Sequence, residues 1–157
     1  MAMHWGLGDQ PNGYMAKNTG AFLIPALSLG IFLLFMAVPL IDPLRKNYDS
    51  FINEYYTLAA LVAAFLLYID LLVISFNLGS GIEILRFMAP GFGALFFYMG
   101  LAIRKARQNW FFGVRTPWTL SSAVVWDKTN HIAGNLFMAA GIFALIGIVF
   151  PAIGFII

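Results

Sequence analysis

The sequence predicts an all-α membrane protein: a bundle of about four transmembrane helices with a short interfacial helix in the third loop. Three observations predict it. Of 157 residues, 61% are hydrophobic and only 10% charged, against about a quarter charged in a soluble domain. A water-soluble fold of this composition would lack the polar surface to cover itself. The apolar residues fall in four runs, each long enough to cross about 30 Å of hydrocarbon. Polar segments separate the runs, and most lysines and arginines gather on one side of them.

Residues 1–18 are polar and glycine-rich with no apolar core of a signal peptide, so the first span is expected to direct its own insertion. Pro11-Asn12-Gly13 carries strong turn chemistry, since proline presets the first turn position while Asn and Gly tolerate positive φ. Trp5 and Tyr14 suit the membrane interface and Lys17 the headgroups. Around His4, this segment reads equally as an ordered cap over the bundle or as a binding loop.

The first span covers about residues 19–41 and ends at Asp42-Pro43, because proline cannot continue a helix and disfavours helical geometry before it. Pro25 and Pro39 lie inside it, where neighbouring helices tolerate a kink. The second span, about 57–78, runs into Gly79-Ser80-Gly81, a link short enough to make an antiparallel hairpin with the third, about 83–103. The fourth covers about 133–157. In the loop before it, Thr119, Ser121 or Ser122 could N-cap a short helix running through Trp126. Such a helix is expected in the headgroup plane, with aromatics inward and Arg115 and Lys128 toward lipid phosphates. The whole chain, 1–157, reads as one polytopic domain embedded in the lipid bilayer.

Orientation follows from the basic residues near span ends, which concentrate on the cytoplasmic side. Arg45, Lys46, Arg104, Lys105, Arg107, Arg115 and Lys128 share one side, and Lys17 and Arg86 the other. The chain is therefore expected to be a multi-pass cell-membrane protein with both termini extracytoplasmic.

The composition excludes several kinds of chemistry. There is no cysteine, hence no disulfide framework and no thiolate nucleophile. A net charge of +2 is too small and dispersed for direct nucleic-acid binding. No metal site is expected, because His4 and His131 fall on opposite sides without clustered acids. No catalytic constellation or phosphate-cradling loop is evident, so the chain reads as a non-enzyme without a cofactor. The one charge deep in a span is Asp70, about 12 Å below the outer end of the second span. An acid there costs about 2.5 kcal/mol or more. Either Arg86 reaches inward to pair with it, or the acid is protonated and hydrogen-bonded in the bundle, or it serves as a ligand or proton site.

Asn109-Trp110-Phe111-Phe112-Gly113-Val114-Arg115-Thr116-Pro117-Trp118-Thr119-Leu120, followed by Val125-Trp126-Asp127-Lys128-Thr129-Asn130 and Gly134, resembles the signature of the SdpI family of membrane immunity proteins. His4-Trp5-Gly6, Gln10-Pro11-Asn12-Gly13-Tyr14, Lys17 and Pro25 resemble the extracytoplasmic motif of the DUF1648 region that often precedes it. The division implied is 1–56 as DUF1648-like and 57–157 as SdpI-like. Family members usually carry further flanking spans, so this chain is expected to be shortened at one or both ends.

The resemblance implies protection against a secreted, membrane-active peptide toxin, and signalling by holding a cytoplasmic repressor at the membrane. His4, Trp5, Tyr14, Asp70 and Arg86 would then contact ligand outside. Asn109, Gly113, Arg115, Thr116, Pro117, Trp118, Thr119, Trp126, Lys128 and Thr129 would form the cytoplasmic motif. The competing reading is an accessory subunit of a larger membrane complex, for which Ala60-Ala64 and Ala140-Ala144 offer small-residue faces for close helix approach. A transporter or enzyme, resting on Asp70 alone, comes third.

Overall fold

The computed structural model describes residues 1–6 and 8–146. An N-terminal hairpin, β1 (Ala2–Trp5) and β2 (Pro11–Tyr14), precedes five α-helices, α1 (Lys17–Ile41), α2 (Ile52–Asn77), α3 (Ile84–Lys105), α4 (Pro117–Ser121) and α5 (Ala123–Ile146), with a 3-10 helix at Arg45–Ser50 between α1 and α2. Three of them, α1, α2 and α3, are long and apolar enough to cross a membrane. The fourth expected span, 133–157, lies partly outside the described residues. What is described of it belongs to α5, which starts ten residues earlier than hydropathy indicated. Helical hydrogen bonding continues through Trp126-Asp127-Lys128-Thr129-Asn130, whereas hydropathy reports only the stretch suited to lipid. The same reason makes α2 begin at Ile52, ahead of the expected residue 57.

The long helices pack in chain order, α1 on α2, α2 on α3, and α3 most extensively on α5. Each pair is antiparallel. Ser28 Oγ donates to the Ala63 carbonyl (3.2 Å) and the Tyr55 hydroxyl to the Phe35 carbonyl (3.1 Å), fixing α1 against α2. The second bond has a covalent cause: Pro39 has no N–H, so the Phe35 carbonyl four residues earlier has no helical donor. Tyr55 supplies it. Pro39 therefore sits inside an unbroken α1, as does Pro25.

Between α2 and α3 the chain turns on Gly79 (φ +89°) and Gly81 (φ +67°). Ser80 N–H donates to Ser75 O (3.2 Å) and Gly79 N–H to Phe76 O (2.9 Å), the glycine-dependent helix ending that satisfies the last carbonyls of α2. The expected hairpin of spans is confirmed there.

Helices α3 and α5 meet through glycine. Gly93 and Gly100 stand two turns apart on α3, facing Gly141 and Gly134 on α5. A Cβ on Gly93 would lie 2.8 Å from the Gly141 carbonyl, and one on Gly141 would lie 2.6 Å from the Gly93 carbonyl. The backbones are in contact, a geometry open to residues without side chains. Ala60 and Ala64, the small-residue face expected to allow close helix approach, are exposed on α2.

Candidate functional site

Chemistry-bearing residues collect at the two ends of the bundle. At one end the hairpin caps α2 and α3. The Ala2 N–H donates to Asn77 Oδ1 (2.7 Å), while Asn77 Nδ2 donates back to Ala2 O (2.9 Å). Trp5 packs edge-on against Phe76 with ring centroids 5.2 Å apart, and Asp9 Oδ1 accepts the Leu85 N–H (3.2 Å) in the first turn of α3. His4 Nδ1 meets Asn12 Oδ1 across the strands, and Tyr14 stands exposed. The segment is therefore an ordered cap on α2 and α3, with His4 and Tyr14 left exposed on it.

The turn lies elsewhere than expected. Pro11, Asn12 and Gly13 are strand residues, and the reversal falls between Gly6 and Gln10, with Asp9 at φ +56° and Gly6 N–H donating to Gln10 O (3.0 Å). Gly13 is needed for proximity instead: a Cβ there would sit 2.9 Å from His4 Cβ. Local turn propensity yielded to cross-strand pairing, because the flanking glycines and Asp9 supply a second turn that docks the strands on Asn77.

Arg86 does not pair with Asp70. It meets Glu83 one turn away at 3.4 Å, both exposed. Asp70 is buried, and its Oδ1 has no hydrogen-bond partner among the described residues. Ala63, Asp70 and Asn77 recur at two-turn spacing and so share one face of α2. That face contacts α1 through Ala63 and the hairpin through Asn77. The Trp5 indole N–H is likewise buried without a partner.

The opposite end holds a buried polar knot. Asp42, directly after α1, accepts the Leu44 N–H on Oδ1 (2.7 Å) and the Trp110 N–H on Oδ2 (2.9 Å). The Tyr48 hydroxyl lies 3.2 Å from both Asp42 Oδ2 and Asn109 Oδ1, joining the two loops. Burial, and then the nearby Asp42 carboxylate, push the Tyr48 hydroxyl well above its ordinary pKa, so it remains a donor.

Asn109, fully buried, folds the second loop around itself. Its Oδ1 accepts the N–H groups of Phe111 (3.0 Å) and Phe112 (2.6 Å), and its Nδ2 donates to the carbonyls of Arg107 (2.8 Å) and Phe112 (2.9 Å). Asn47 Nδ2 donates to Gln108 O (2.6 Å), and Gln108 Nε2 reaches Thr119 O and Leu120 O. Thr116 is the N-cap of α4: its Oγ1 accepts the Thr119 N–H (3.2 Å), the Thr119 hydroxyl accepts the Thr116 N–H (2.8 Å), and Pro117 fills the first helical position.

Thr119 and Ser121, expected as caps, lie inside α4. Ser122, the third candidate, does precede α5 and accepts the Val125 N–H at 3.4 Å. The Trp126 side chain is fully buried, packed with Val38, Tyr48, Phe51, Tyr55 and Ala106, and its Nε1 donates to Ala106 O (2.7 Å). Asn130 Oδ1 accepts the Val114 N–H (2.7 Å).

The expected interfacial helix through Trp126 thus becomes two helices, with Trp126 turned into the protein and away from lipid. The surface of this end carries Trp110, Trp118, Arg115, Lys128 and half-buried Thr129, with Arg115 Nη1 donating to Trp110 O (3.0 Å). The knot's buried polar side chains are committed to backbone groups and to one another, so this surface is what a partner would meet.

Reading the sequence missed Asp42, Asn47 and Tyr48. Asp42-Pro43 reads as a helix stop, and no motif marks Asn47 or Tyr48. The available signal was that Asn109 and Asn130 flank an aromatic-rich loop and need buried partners.

Gly113 closes the knot with φ +103°, and a Cβ there would lie 2.6 Å from Asn130 Oδ1. Gly113→Ala combines backbone strain of about 1–3 kcal/mol with displacement of Asn130. It should lower the thermal midpoint in mild detergent by roughly 5–10 °C. An unchanged midpoint would contradict this geometry.

The SdpI/YfhL protein family matches residues 105–157, a stretch that contains the 109–130 motif and α5. No solved structure matches the chain. The immunity protein SdpI of Bacillus subtilis (strain 168) is 27% identical over 134 residues, covering 85% of this chain and 62% of that protein. The chain thus spans less than two thirds of the relative it matches, and the end of it that resembles the SdpI/YfhL family is the end that builds the polar knot.

Proposed function

We propose that this chain is an SdpI-like immunity protein of the cell membrane, a non-enzymatic protein that protects against a membrane-active peptide toxin. The observation that carries the reading is the similarity to an immunity protein along 85% of the chain. Four spans cross the bilayer, the fourth being the apolar run of about residues 133–157, and both termini lie outside. The basic end then faces the cytoplasm in accord with its seven lysines and arginines.

The hairpin is the outer ligand surface, offering exposed His4 and Tyr14 beside the docked Trp5. Asp70 lies about 10 Å back along α2 from the Asn77 clamp, deeper in the bundle. Its free oxygen is the group a cationic or hydrogen-bonding part of the toxin would satisfy, and Arg86 is exposed at the start of α3 beside Glu83. At the inner end, Arg115, Trp118 and Lys128 form the surface that rests on lipid headgroups or holds a repressor.

Expression in cells sensitive to a secreted membrane-active peptide toxin should restore growth. Asp70→Asn should abolish that protection while membrane insertion is retained. Undiminished killing at confirmed membrane expression of the unaltered chain would overturn the assignment, and full protection by Asp70→Asn would remove Asp70 from the ligand site.

A further inference from the structure

At the basic end a cavity of about 460 Å³ opens between the end of α3 and the starts of α2 and α5. Its charged lining is Glu54, Arg104, Lys105, Arg107, Asp127 and His131. The two carboxylates are occupied: Lys105 pairs with Glu54, and Arg107 lies 3.8 Å from Asp127. Arg104 has no carboxylate partner among the described residues, so the cavity keeps one guanidinium charge without a counter-ion.

Arg104 is held in place by the helix packing. A Cβ on Gly134 would overlap Arg104 Cγ and stand 3.2 Å from its Cδ, so the stem runs across the glycine of α5. The guanidinium ends at His131, with Nη2 3.1 Å from His131 Nε2, and Nη1 3.9 Å from Met138 Sδ. A guanidinium has only donors, so the imidazole accepts through Nε2, and neither contact brings negative charge. The remaining N–H groups form a planar fork suited to two phosphate oxygens.

We infer that this cavity binds the phosphate of an anionic lipid headgroup, with Arg104 as the phosphate-binding residue and Lys105 and Arg107 as its flanking cations. The last turn of α3 places Arg104 where the hydrocarbon core gives way to headgroups, and basic pockets between spans at that depth take anionic lipids. A free phosphate ion offers the same oxygens but no acyl chain to anchor it beside the bundle.

The test uses the purified full chain in mild detergent, with thermal unfolding followed against added phosphatidylglycerol, phosphatidylcholine or inorganic phosphate. Phosphatidylglycerol should raise the midpoint saturably. Arg104→Gln should weaken the half-saturating concentration by about tenfold, the equivalent of one charge-assisted hydrogen bond. Lys46→Gln, an exposed cation of the same end outside the cavity, should respond like the unaltered chain.

If Arg104→Gln does not fold, Arg104→Lys carries the same comparison, since it keeps a stem across Gly134 but loses the fork. Stabilisation by inorganic phosphate alone would keep Arg104 as a phosphate-binding residue and overturn the lipid as its source. Equal responses to the two lipids, or equal weakening in Lys46→Gln, would overturn the site.

Discussion

Asn109→Leu is expected to open the loop between α3 and α4 while leaving the spans in the bilayer. Leucine fills nearly the same volume, so the effect isolates hydrogen bonding from packing. It strands the N–H groups of Phe111 and Phe112 and the carbonyls of Arg107 and Phe112, all served by this one amide. Each buried group left unpaired costs about 1–3 kcal/mol. Several together reach about 5 kcal/mol, comparable with the whole stability of a small domain. The cost falls on one segment, because the long helices keep their own backbone bonds.

Hydrogen exchange read by mass spectrometry should therefore show fast exchange across residues 106–116 and unchanged protection in α2 and α3. Asn109→Asp keeps the two bonds accepted from backbone N–H groups, loses both donated ones, and adds a carboxylate close to Asp42 through Tyr48. It should open the same segment. Unaltered protection of the Phe111 and Phe112 amides in Asn109→Leu would show that the loop is held by something other than this side chain.

The spans were legible because lipid solubility leaves a long-wavelength trace in the sequence. Runs of about 20 apolar residues signal a crossing whatever their tertiary neighbours, and the first three stand within a few residues of α1, α2 and α3. The SdpI-like motif was also legible, and its Asn109, Thr116, Thr119, Trp126 and Asn130 are side chains that bond the knot together.

What escaped was the partner half of the knot. Asp42, Asn47 and Tyr48 lie some 60 residues from Gln108, Asn109 and Trp110, and no periodicity links them. Asp42-Pro43 already had a sufficient local explanation as a helix stop, and that concealed its second role. The hairpin register escaped for a related reason: Pro11-Asn12-Gly13 and Gly6–Asp9 both carry turn residues, and the docking of Ala2 on Asn77 decides between them. The ion pair with Arg86, one of the three readings of Asp70, does not form because Glu83, one turn from Arg86, is a nearer partner that needs no desolvation.

Trp126→Ala is expected to be at least as damaging, through a different mechanism. The indole fills the space between the end of α1, the start of α2 and the end of α3, against Val38, Phe51, Tyr55 and Ala106. Its removal leaves a cavity worth about 3–5 kcal/mol and a buried Ala106 carbonyl without its donor. Trp126→Phe restores most of the volume and loses only that bond, so it should cost about 1–3 kcal/mol.

The expectation of a Trp126 lying in the headgroups makes different predictions for the same measurements. An interfacial indole would be quenched by brominated lipid, and its truncation would scarcely change the unfolding midpoint. With Trp126 enclosed by protein and Trp118 70% exposed, variants retaining a single tryptophan should separate the two. The chain keeping only Trp118 should be quenched strongly in brominated bilayers, and the chain keeping only Trp126 weakly. Comparable quenching of both, with a midpoint unmoved by Trp126→Ala, would place Trp126 at the membrane and remove it from the knot.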